Sequence, residues 1–89
     1  MTDAEKAAKV LDALNAAESQ PANVALTTLN GLVNLAKGDQ EQPLDVEEAR
    51  IKVFLALCEV GKALHYGKPA DHLWVLAIDA TEQWVALAK

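Results

Sequence analysis

Three breaks, at Ser19-Gln20-Pro21, from Gly38 to Leu44 and at Gly67-Lys68-Pro69, cut the sequence into four segments in which apolar residues recur every three or four positions. That spacing puts side chains on one face of an α-helix, which turns once in about 3.6 residues. Four helices joined by short connections can hide such faces only against one another. The expected fold is therefore all-α, a four-helix antiparallel bundle built from two helical hairpins, residues 3–37 and 45–88, with the polar stretch 38–44 as linker. With 89 residues the chain is expected to form a single helical domain, near the size at which one core barely suffices.

Local signals set the expected boundaries. Thr2-Asp3-Ala4-Glu5 is a capping-box pattern, in which a hydroxyl and a carboxylate satisfy free amides at a helix start, so the first helix is expected over 3–18. Its stripe reads Ala4, Ala7, Leu11, Leu14 and Glu18, with Lys6, Lys9, Asp12 and Ala13 directed outward. The second helix, from Pro21 to Lys37, gathers Ala22, Ala25, Leu26, Leu29, Leu32, Val33 and Ala36 on one face, and Gly38 is the expected left-handed stop. Asp45-Val46-Glu47-Glu48 reads as a second capping box opening a helix that reaches Tyr66. Gly67 and Pro69 then mark the exit from that helix and the entry to a fourth ending near Ala88.

The third and fourth segments carry more apolar surface than one stripe needs. Val46, Ala49, Val53, Leu57, Val60 and Leu64 make a core stripe on the third, while Ile51, Phe54, Leu55 and Cys58 fall on a separate flank. In the fourth, Leu73, Leu76, Ala77, Ala80, Trp84 and Leu87 form one stripe and Trp74, Ile78 and Val85 a second beside it. Each such side chain is worth roughly 1.5 to 3 kcal/mol when fully buried, so a second surface to cover it is expected. Two arrangements supply one: the later helices sit centrally between the narrower first two, or a second chain covers the flank about a two-fold axis. The second makes Ile51, Phe54, Leu55, Cys58, Trp74, Ile78 and Val85 a protein interface and the chain a homodimer, with another protein as the further candidate partner.

Charge and chemistry exclude more than they assign. Lys and Arg number 8 against 13 Asp and Glu, a net charge of −5, and the cations are scattered. Nucleic acid, whose binding rests on cations set against phosphates, is not an expected partner, and no segment reads as a membrane span. The lone Cys58 cannot close an internal disulfide, and Met1 to Glu5 has acids where a secretory signal would have bases; a cytoplasmic protein is expected. Ser19, the only serine, lies in a turn, and neither histidine has a glutamate three residues before it, which removes serine-nucleophile and di-iron chemistry. No cofactor is implied. Cys58, His65 and His72 are the best candidates for a metal, and with the space between the third and fourth helices they define the alternative, a small-ligand or metal-binding bundle. The expectation is a non-catalytic interaction module, such as a small regulator, inhibitor, adaptor or chaperone-like protein.

Overall fold

The computed structural model describes residues 1–38 and 40–89. Four helices follow one another, α1 (Asp3–Ala17), α2 (Ala22–Ala36), α3 (Leu44–His65) and α4 (Asp71–Ala88), and the described residues include no strand. Each helix packs on two others: α1 on α2 and α4, α3 on α2 and α4. These contacts fit a helical bundle with the core along its middle. Its radius of gyration, 12.2 Å, matches the roughly 12 Å of a compact chain this long. Because α2 also packs on α3, the polar linker does not keep the first two helices apart from the last two.

The helix ends follow from local hydrogen bonding, though not always as expected. Thr2 caps α1: its Oγ1 accepts from the Glu5 amide at 3.2 Å, and Glu5 Oε1 accepts from the Thr2 amide at 3.4 Å. The box expected at Asp45 does not form. Pro43, already in the extended geometry of an N-cap, starts α3 early, so Asp45 lies within the first turn and accepts from the Val46 amide at 2.9 Å. Acids still occupy the positive end of that helix. At the other end the Lys68 amide donates to Ala63 at 2.8 Å and the Gly67 amide to Leu64 at 3.3 Å, a complete Schellman closure with Gly67 at φ +66°.

Gly38 acts differently from the left-handed stop expected of it. Lys37 leaves α2 with extended backbone, and among the described residues only Gly67 has positive φ. What Gly38 supplies is closeness, since a Cβ there would lie 2.8 Å from Cζ of Arg50. The Arg50 guanidinium lies against this backbone, donates to the Ala36 carbonyl at 2.8 Å and pairs with Glu47 at 2.9 Å. A side chain of α3 thereby caps the C-terminus of α2, where carbonyls lack partners and a cation is favoured.

The core stripes of α2 and α3 lie close to those expected. Ala25, Leu29, Leu32 and Ala36 are buried on α2, as are Val46, Ala49, Val53, Leu57 and Val60 on α3, with Ala63 in place of the half-buried Leu64. The other two stripes are rotated. On α1 the buried line runs through Val10, and its continuation takes in Asp3, absent from the expected stripe, and Lys6, expected outward. On α4 it runs Ala70, Trp74, Ala77, Thr81 and Trp84, leaving Leu76 and Leu87 about half exposed. At about 100° per residue this is a turn of about 70° from the expected stripe. The two indoles set it, because they are the largest apolar surfaces on the helix and both reach the interior this way. Trp84 is wholly buried and its Nε1 donates to Asp3 Oδ2 at 3.4 Å, while Thr81 satisfies its hydroxyl on the Ala77 carbonyl at 2.7 Å.

Candidate protein interface

With the core filled, the remaining apolar side chains separate into packed and unpacked groups. Phe54, Ile78 and Val85 are half-buried and lean on the core, and Trp74, at 5% exposure, belongs to it. Trp74 is therefore removed from the interface set: within its own chain it is already covered. Ile51 and Leu55 keep 45% and 57% of their surface, and Cys58 beside them is exposed. The structure thus leaves Ile51, Leu55 and Cys58 together on the outer side of α3, one helical turn apart, with Phe54 at their edge.

Other exposed apolar residues lay outside the expected set. Val75, Leu76 and Leu87 on α4, and Leu44 at the start of α3, are open to solvent. The spacing of Leu76 and Leu87 places them in the expected core stripe of α4. The 70° rotation that buries both tryptophans is what turns them outward. Leu44, the last residue of the expected linker, comes onto the helix because Pro43 starts it early.

A groove of about 510 Å³ runs between α2 and α3, bordered by Leu26, Val33, Leu57, Cys58, Gly61 and His65. No residue of α4 borders it, so it differs from the space between the third and fourth helices expected for the ligand-binding alternative. Its walls are mainly aliphatic, and Asn30, Lys62 and Tyr66 add polar groups at the rim. The His65 and Tyr66 rings meet edge to face at 4.9 Å. Cys58 and His65 both border this groove, but His72, on α4, does not. Among the described residues no three His, Cys, Asp or Glu side chains come together as a metal would need, so the Cys58, His65, His72 set does not assemble.

A second, polar hollow of about 730 Å³ lies over Gly38, Gln40, Gln42 and the Arg50–Glu47 pair. Arg50 holds α2 to α3 there through its Nη1 and Nη2, while its buried Nε has no hydrogen-bond partner. Among the described residues no helix is long and apolar enough to cross a membrane. Comparison of the chain with protein-family models, curated proteins and solved structures returns no match.

Proposed function

We propose that the protein is a non-catalytic helical interaction module whose contact surface is the outer apolar face of α3 and α4. In this reading the bundle is two antiparallel hairpins, α1–α2 and α3–α4, since connections as short as those at Ser19 and Gly67 return a chain alongside itself. The protein works in the cytoplasm as a homodimer that also offers surface to another protein. The observation that carries the reading is the exposure of Ile51 and Leu55 on a helix whose other face already fills the core. Aliphatic side chains clustered this way gain little in water and contribute most when a partner desolvates them. Phe54, Cys58, Ile78 and Val85 border the contact, and the acidic surface orients the partner and sets its approach rate.

Light scattering across a range of concentrations tests this directly. Replacing Ile51 and Leu55 together with Glu should give a soluble monomer of unchanged helix content, because neither side chain supports the core. An unchanged assembly in that variant, or a wild-type chain monomeric at every concentration that captures no partner, overturns the reading. The groove between α2 and α3 favours a second reading, a site for a small apolar ligand; saturable shifts of the Leu26 and Val33 methyl resonances on adding such a compound would support it.

A further inference from the structure

The outward stripe of α3 has the spacing of a coiled-coil seam. Leu44, Glu48, Ile51, Leu55, Cys58 and Lys62 succeed one another in alternating steps of four and three residues, the pattern that keeps a seam turned toward a second helix. All six are exposed. Taking about 100° per residue, they lie within about 55° of the direction opposite the buried stripe through Val53 and Leu57. One face of α3 serves its own bundle; the other has heptad order and is open to solvent, bordering the groove against α2 at Cys58 and Lys62.

We propose that this second face pairs with the same face of a second copy of the chain, the two α3 helices running antiparallel about a two-fold axis that passes between Leu55 and Cys58. The proposal rests on the reading of the outer face as a protein contact, and adds the partner and the register. Charge selects the register. In an antiparallel pair each flanking position meets its own kind across the seam; here Lys52 and Glu59 flank one side, Phe54 and Gly61 the other. When Leu55 faces the partner's Cys58, Lys52 faces the partner's Glu59, and the two-fold axis repeats the attraction. On the other side Phe54 faces the partner's Gly61, which borders the groove between α2 and α3 and has no side chain of its own to oppose a ring. Further out, Ile51 packs on the stem of the partner's Lys62.

The alternatives are worse in charge. A slide of one heptad sets Lys52 against the partner's Lys52 and Asp45 against the partner's Glu59, and the opposite slide sets Glu59 against the partner's Glu59. Parallel helices would stack Glu48 on the partner's Glu48 and Lys62 on the partner's Lys62. Only the chosen register keeps apolar layers at the centre and opposite charges beside them.

Charge reversal with sedimentation of the intact chain tests the pairing. Lys52→Glu and Glu59→Lys should each weaken the dimer about tenfold, since two symmetric exposed pairs turn repulsive. The double variant should return to within about threefold of wild type. Within one chain the two residues are about 10 Å apart along the helix, too far to rescue each other, so recovery reads a contact between copies. Circular dichroism of each variant confirms that α3 stays helical. A wild-type chain monomeric throughout overturns the proposal, as does a double variant no better than the singles. A dimer that the Ile51 and Leu55 double replacement dissociates but the charge reversals leave untouched overturns this register while keeping the outer-face reading.

Discussion

At the residue scale the glycines separate cleanly by what surrounds them. Gly31 is exposed in the middle of α2 with nothing within 4 Å of an added Cβ. Gly31→Ala should therefore raise stability by about 0.5 to 1 kcal/mol through helix propensity alone, seen as a higher urea midpoint with an unchanged slope. Gly38→Ala should do the opposite. The new methyl displaces the Arg50 guanidinium and with it the bond to the Ala36 carbonyl, a charged-donor bond of roughly 1.5 to 3 kcal/mol, against a gain of about 0.4 to 1 kcal/mol from stiffening the unfolded chain. A net loss of about 1 kcal/mol is expected in the same measurement. If Arg50→Met weakens the protein as much and Gly38→Ala adds nothing to it, the two residues act through one contact.

Among elements, the ends of α3 show what local sequence can and cannot specify. Its exit was legible at Gly67, whose left-handed conformation a side chain resists by roughly 1 to 2 kcal/mol, so Gly67→Ala should lower the thermal midpoint by roughly 4 to 16 °C without altering helix content. Its entry lies two residues before the expected cap because two signals compete there, an acid pattern at Asp45 and the fixed backbone of Pro43, and the proline prevails. The stripes of α2 and α3 could be read from spacing because their apolar residues are similar aliphatic chains. Those of α1 and α4 could not. Counting positions weights Leu76 like Trp74, whereas packing weights area, and two indoles outweigh three leucines in orienting α4. Nor does spacing reveal that Asp3 would meet Trp84, a contact between residues near opposite ends of the chain, or that Lys6 would be drawn in with it. The candidate interface inherits both results: its α3 portion was visible in the sequence, while Leu76 and Leu87 appear only once α4 has turned.

For the whole molecule, the ring of contacts from α1 through α4 and back means that the core needs all four helices. Ile51 and Leu55, on the outer face of α3, are not part of that core. In the proposed dimer, assembly and folding are thus separable by position, and they should be separable by concentration. Thermal midpoints of the wild type should rise with protein concentration, as mass action requires when association stabilises the folded chain, and those of the Ile51 and Leu55 double replacement should not.

The burial of both tryptophans carries a practical consequence for telling these two processes apart. Trp74 and Trp84 are shielded inside one protomer, and the α3 seam contains neither. Dilution that splits a pair of molecules should therefore leave the wavelength of indole emission where it was, whereas denaturant that opens the bundle should move it to the red. The protein carries its own optical gauge of integrity, blind to its companions.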